Sequence, residues 1–237
     1  MKTSNHYKDT ENIFNLIAVT RKGFYDAKSK NKLKHTCYQL MIRKKILKIF
    51  QTLQTSKNLE IGCGNGDFLI KLAKRYPELF FSGIDFSSEQ LNVAKENSKN
   101  IKNINFEMSD ALKLKFKDES FDTIFCINTF HHIKSEDHSK ALAEFSRVSK
   151  ENIILEIKNR NNFYYKYLRT GLGKHKAYFS NFDCNDSCIK KIHVYPTIIP
   201  AVKKDLEKNG FELISLKSLY IFPFLSPLIV LHFRRIA

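Results

Sequence analysis

Three alternate glycines are the residues of this chain best suited to receive a charged ligand. They stand in the stretch Leu59-Glu60-Ile61-Gly62-Cys63-Gly64-Asn65-Gly66-Asp67. A turn without side chains lets a ligand approach the backbone. If a helix opens behind it, free N–H groups point at any negative group bound there. The spacing is G-x-G-x-G with an acid, Glu60, two positions ahead of the first glycine. The dinucleotide fingerprint is G-x-G-x-x-G, and its third glycine position falls here on Asp67. A carboxylate, Asp85, closes the run Phe80-Phe81-Ser82-Gly83-Ile84-Asp85. From Gly64 to Asp85 is roughly the twenty-residue gap that sets an acid on a ribose diol in doubly wound folds.

Further polar residues follow apolar runs. Ser109-Asp110-Ala111 comes after the alternation Ile104, Phe106, Met108, and Asn128 closes the run from Phe121. Directly behind it stand His131 and His132. A histidine with a pKa near neutrality can remove a proton from a hydroxyl or amine. The plainer reading of either ring is local packing. Residues 158–195 mix aromatic and basic side chains, and Tyr164, Tyr165 and Tyr178 are candidates to contact a substrate. A small satellite core explains them equally well. Cys184 and Cys188 with His193 hint at zinc, but the spacing is loose and a fourth ligand is missing, so no metal is expected.

The elements that must hold these residues follow from periodicity. Asn58–Ile61 reads as a short buried strand, and Leu69, Leu72, Ala73 and Tyr76 recur at helical spacing over Phe68–Tyr76. Ser87 offers an N-cap for a helix over Ser88–Asn97. Asn105–Met108 is a third strand. Phe121–Asn128, nearly continuous in apolar residues, suits a central parallel strand buried on both faces. Ser135 is expected to cap a helix carrying Ala141, Leu142, Phe145 and Val148, with strand five over Asn152–Ile157. Residues 158–195 do not read as regular sheet. Thr197–Asn209 reads as a helix stopped by Gly210, followed by strands over Glu212–Tyr220 and Leu228–Phe233. Upstream, Cys37–Phe50 reads as an amphipathic helix with Tyr38, Met41, Ile42, Ile46, Ile49 and Phe50 on one side.

Taken in order, Glu60-x-Gly62-x-Gly64-x-Gly66, Asp85, Ser109-Asp110-Ala111, and Phe121-Asp122-x-Ile124 through Asn128 with His131-His132-Ile133 carry a resemblance. Over about Lys57 to Ile157 the chain resembles the class I S-adenosylmethionine-dependent methyltransferases. The resemblance implies an α/β, Rossmann-like, seven-stranded and mostly parallel sheet with helices on both faces and a reversed last strand. It also implies an N-terminal helical cap over 1–56 and a methyltransferase domain over 57–237, with 158–195 an acceptor-side insertion after strand five. S-adenosyl-L-methionine is then the cofactor. Glu60 and the glycines would approach its methionine and ribose parts, Asp85 the ribose hydroxyls, and Phe86 the adenine face. Asp110 would take the adenine amino group, Ala111 would allow close approach, and Asn128 would lie at the strand edge. The catalytic candidates are His131 and His132. Members of the family often carry Pro-Gly-Gly before strand five; here the turn is expected at Lys150-Glu151-Asn152.

Composition bounds the acceptor. The 237 residues suffice for one domain with a cap. The net charge is +16, spread unevenly. Residues 1–50 carry 12 basic and 3 acidic side chains, 51–150 carry 14 of each, and 151–237 carry 14 and 7. Both flanks can therefore face something anionic. No Asn/Asp-Pro-Pro-Tyr/Phe tetrapeptide, Pro-Cys dipeptide or acidic metal cluster follows strand four, which argues against base-amine, pyrimidine-carbon and catechol-type acceptors. The reading is methylation of oxygen or nitrogen on a small-molecule or lipid-linked acceptor, for which an anionic group is left open. RNA methylation through the basic flanks is the alternative, and a non-catalytic cofactor-binding protein the second. Nucleic acid and peripheral membrane contact stay candidate partners. Ile221–Phe233 is too short, and too broken by Pro223 and Pro227, to span a bilayer. With a polar start and an odd count of 5 cysteines, the cytoplasm is the expected location.

Overall fold

In the computed structural model the described residues are 7–8, 10–15, 30–162, 178–180, 192–220 and 222–236, with backbone alone for 30–38, 178–180 and 192–193. The helices are α1 (Lys30–Phe50), α2 (Asp67–Arg75), α3 (Ser88–Ser98), α4 (His138–Val148) and α5 (Ile199–Lys208). The strands are β1 (Lys57–Ile61), β2 (Phe80–Asp85), β3 (Ile104–Met108), β4 (Phe121–Cys126), β5 (Ser149–Lys158), β6 (Tyr178–Ser180), β7 (Ile192–Val194), β8 (Phe211–Ser218) and β9 (Leu228–Arg235).

Seven strands form one sheet in the order β3-β2-β1-β4-β5-β9-β8. Neighbours from β3 through β5 pair in parallel, and β9 lies antiparallel to both β5 and β8. Only β9 is reversed, as expected of the last strand. The order turns at β1, whose neighbours are β2 and β4, and an open sheet binds ligands at the carboxyl ends of strands where its order reverses.

Alternation along the central strands sorts side chains to two faces. Leu59, Ile61, Ile124, Ile153 and Leu155 pack with α4 and α5 in one core. Phe81, Phe125, Ile154 and Val230 pack with α1 and α2 in the other, where Phe50 meets Phe125 with ring centroids 5.4 Å apart. Glu60 and Glu156 fall by the same alternation on the α1 face, where each should have been apolar.

Several boundaries differ from the sequence reading. Helix α1 starts at Lys30, seven residues earlier. Its inner stripe is Ile42, Ile46, Ile49 and Phe50, while Met41 is exposed, since it lies about 100° around the helix from Ile42. Strand β4 ends at Cys126, because Asn128 takes a left-handed conformation (φ 53°) that no strand continues through. Ser135 does not cap α4. It opens a tight 3-10 turn, Ser135–Asp137, and α4 begins only at His138. Lys150-Glu151-Asn152 is not a turn but lies within β5, which starts at Ser149 in register with Phe121. The region after β5 does hold regular structure, the pair β6–β7, with Tyr178 opposite Val194. Pairing between segments so far apart leaves no local periodicity to read. No described helix is long and apolar enough to cross a membrane.

Candidate active site

The turn between β1 and α2 is built by the sheet. The N–H groups of Gly62 and Cys63 both donate to the Ile84 carbonyl of β2, at 2.8 and 2.9 Å. Gly62, Gly64 and Gly66 have φ of 72°, 54° and 72°, a region glycine enters without strain. Their surroundings differ. A Cβ on Gly62 would lie 2.2 Å from Thr129 Cγ2, and one on Gly66 2.6 Å from Phe106 Cζ. A Cβ on Gly64 would meet nothing nearer than Gln90 Oε1 at 3.9 Å. Two glycines are therefore required by packing within the protein. The middle one borders open space.

Asp85 organises that space. Its Oδ2 accepts the Gly64 N–H at 2.8 Å and its Oδ1 the Ser87 N–H at 2.9 Å. The carboxyl thus joins the turn to the start of α3, where Ser87 Oγ accepts the Gln90 N–H at 3.2 Å. Each carboxylate oxygen keeps a second lone pair for a diol. Burial raises the Asp85 pKa against the pull of those N–H donors.

Glu60 is 4% exposed, and its Oε2 has no hydrogen-bond partner among the described residues. Burial pushes its pKa up to about 8, and Arg43 of α1 pulls the other way. Across β4, Glu156 Oε2 accepts the Asn128 N–H at 3.2 Å, while Oε1 has no hydrogen-bond partner among the described residues. Burial raises Glu156 to about 7. Gln39 of α1 donates to Asn128 Oδ1 at 3.3 Å, and Arg43 Nη1 binds Asp67 Oδ2 at 2.7 Å. Helix α1 therefore brings an amide and a guanidinium to an edge that holds two buried carboxyls with orphaned oxygens.

Residues 10–15 are helical and lie across the same edge. Asn15 Oδ1 accepts the Ser87 hydroxyl at 2.6 Å, and Gln90 Nε2 donates to the Phe14 carbonyl at 3.3 Å. The Phe14 ring meets Phe86 edge-on at 5.9 Å and His132 at 5.2 Å. Tyr7 donates to Asp137 Oδ2 at 2.5 Å, with burial as the first cause raising its pKa. This segment links the turn after β2 to the turn after β4.

His131 and His132 sit on a 3-10 turn, Phe130–His132, with ring centroids 4.2 Å apart. His131 is buried and its carbonyl accepts the Tyr195 N–H at 2.7 Å; His132 is half-buried. Asp110 is exposed, and its Oδ1 accepts the Leu112 N–H at 2.8 Å. Ala111 packs on the core beside it. Ser109 is buried with an orphaned Oγ, and its N–H reaches the Asp85 carbonyl at 3.2 Å. Tyr164 and Tyr165 lie outside the described residues, as do Cys184 and Cys188; Tyr178 and His193 are described in backbone alone.

The structure thus gathers Glu60, Gly64, Asp85, Phe86, Asn128 and the two histidines on one edge. Sequence reading missed Phe14, Asn15, Gln39, Arg43 and Glu156. For Glu156 a signal existed: an acid inside the apolar run Ile153-Ile154-Leu155-Glu156-Ile157. The others act across tens of residues, and nothing local marks them.

Residues 59–152 match the family model described as "Methyltransferase domain". The stretch from β1 into β5 is thus similar to a methyltransferase domain. Over 109 residues, 46% of the chain, it is 37% identical to a demethylmenaquinone methyltransferase of Staphylococcus carnosus strain TM300. It spans under half, 44%, of that relative's length. In fold the chain resembles a magnesium protoporphyrin IX methyltransferase from Synechocystis PCC 6803, solved with bound SAH. That likeness has a TM-score of 0.71 and 17% identity, covering 97% of this chain and 100% of that one. A methyltransferase from Methanosarcina mazei aligns with a TM-score of 0.63 and 21% identity, over 79% of this chain and 96% of its own.

Proposed function

We propose that the protein transfers a methyl group from S-adenosyl-L-methionine to an oxygen or nitrogen of a small-molecule or lipid-linked acceptor. The observation that carries this is Gly64. It is held left-handed, stapled to Asp85, and among the described residues a Cβ there would meet nothing nearer than 3.9 Å. The orphaned Glu60 Oε2 adds an unmatched buried acceptor suited to a cationic ligand. These residues fit the cofactor, which when bound supplies a methyl group already activated on a sulfonium.

The protein's own work is then positioning and proton handling. Asp85 would hold the ribose hydroxyls, Phe86 with Phe14 against it would offer the base an apolar wall, and the glycine turn and Glu60 would receive the amino-acid end. Asn128, fixed by Glu156 below and Gln39 above, sets the edge past which the acceptor must reach. His132, the more open of the pair, takes the acceptor's proton, and His131 packs behind it. With the sulfonium activated, most of the remaining barrier is orientation. Support for a metabolite over a nucleic acid comes from the acceptors named in the two relatives, demethylmenaquinone and magnesium protoporphyrin.

The test is ligand-induced stabilisation. S-adenosylhomocysteine at a hundredfold excess over its Kd should stabilise the protein by about 2.7 kcal/mol, and NAD should not. Equal responses, or a response undiminished in Asp85→Ala, would refute the reading.

A further inference from the structure

Among the described residues, the loop between β8 and β9 is exposed and apolar. Phe222 and Phe224 are 55% and 58% exposed, and Tyr220 and Leu225 stand beside them in the open. A 3-10 turn, Pro223–Leu225, holds the loop, and the two phenylalanine rings lie 5.6 Å apart. Ser226 pins its base, accepting the Leu219 N–H at 2.8 Å and donating to the Leu228 carbonyl at 2.5 Å. Asn159 Nδ2 donates to the Pro223 carbonyl at 3.2 Å. The rings are thus displayed by a built turn, and a contiguous exposed apolar patch marks an interaction site.

Position and charge point to the occupant. The loop follows the carboxyl end of β8 and precedes Leu228, which pairs with Lys158 at the end of β5. It therefore lies at the same sheet edge as Gly64 and Asn128. From Leu213 to Ala237 the sequence has no acidic residue, while Lys217 stands on β8 just before the loop. Arg160 is exposed beside Asn159 at the end of β5. Aromatic rings backed by cations are suited to the boundary between lipid headgroups and acyl chains. A second copy of the chain is disfavoured there, since each copy carries a net charge of +16.

We infer that the Phe222–Leu225 turn docks the protein on an anionic lipid surface, turning the site's mouth toward the bilayer. Docking is read without turnover, so it stands or falls apart from the methyl-transfer reading.

The experiment is co-sedimentation of the full chain with phosphatidylcholine vesicles, with and without phosphatidylglycerol. Wild-type protein should pellet with the anionic vesicles alone. Phe222→Ser/Phe224→Ser should bind about tenfold more weakly, because both rings would otherwise be buried in the interface. The variant should keep the wild-type melting temperature and its response to S-adenosylhomocysteine, since neither ring packs in either core. Undiminished pelleting of the variant, equal binding to neutral vesicles, or no binding by wild type would each overturn the inference. So would a dimer in sedimentation velocity that the double substitution abolishes.

Discussion

Gly62 and Gly64 share a backbone conformation and differ in what lies beyond the Cα. Gly62→Ala puts a methyl group 2.2 Å from Thr129 and should destabilise the fold by several kcal/mol, lowering expression and Tm together. Gly64→Ala meets no clash, so its cost is the left-handed strain, about 1–2 kcal/mol. That is a fall of about 2–8 °C in Tm for a chain of this size. The same variant should lose the stabilisation by S-adenosylhomocysteine, because its methyl group takes the space the cofactor needs. Calorimetry of both variants with and without ligand checks the pair. The opposite assignment, with Gly64→Ala the unfolding one, would remove the argument for open space at the turn.

The two buried glutamates make a second prediction at this scale. Burial pushes Glu60 up to about 8 and Glu156 up to about 7, well above the ordinary carboxylate range. The native state therefore holds protons that the unfolded chain has released, and stability falls as pH rises toward 8. His232 and His138, lowered by burial, act in the opposite sense below about pH 6.5, and Lys158, lowered to about 8, acts above pH 8. Between pH 6.5 and 8 the glutamates stand clear, and the loss should be about 2 kcal/mol in urea unfolding. Glu60→Gln should remove more than half of that slope, since its carboxyl has the higher pKa. A slope unchanged in that variant would assign the effect elsewhere.

Among the elements, α1 divides between sheet and edge. Ile46 is fully buried under the sheet, and Ile46→Ala should cost about 2–5 kcal/mol. Met41→Ala, on the exposed side, should change stability by no more than about 0.5 kcal/mol. The segment at residues 10–15 touches the edge through few groups. Phe14→Ala removes the ring between Phe86 and His132, and should weaken S-adenosylhomocysteine binding severalfold with little change in Tm. Isothermal titration decides it, and unaltered affinity would place that segment away from the cofactor. These contrasts also show what the sequence could convey. Strands β1, β2 and β4 and helices α2 and α3 were legible because their apolar residues recur at the period of the element. The glycine turn and Asp85 were legible because their spacing is fixed by the strand–turn–helix that carries them. Glu156 beneath Asn128, Gln39 above it and Asn15 on Ser87 were not, since each pairing joins residues 28 or more positions apart. The 3-10 turn before α4 was hidden for the same reason: Tyr7, far upstream, binds both Asp137 and the Lys134 N–H.

Across the whole molecule, the excess positive charge lies outside the stretch that carries the glycine turn. The stretch 51–150, which holds the glycine turn, Asp85 and both histidines, carries 14 basic and 14 acidic residues, and the excess lies in the flanks. Buried groups such as Asp85 and Glu60 are little screened by salt, because water and ions do not reach between them and their partners. Exposed cations such as Arg160 are screened once the Debye length, about 10 Å at 0.1 M, shrinks to about 3 Å at 1 M. Raising salt over that range should leave the S-adenosylhomocysteine response nearly constant while releasing the protein from anionic vesicles. RNA bound by the same flanks would also be released, but tightly enough at low salt to compete with vesicles, with log affinity falling linearly in log salt. Bulk tRNA should fail in that competition at physiological salt, because the Phe222 and Phe224 rings contribute to lipid binding and have no counterpart on a phosphate backbone. Displacement from vesicles by tRNA at micromolar concentration would instead favour the RNA reading. A cofactor response that collapsed together with vesicle binding would mean that exposed, salt-screened cations of the flanks hold the cofactor.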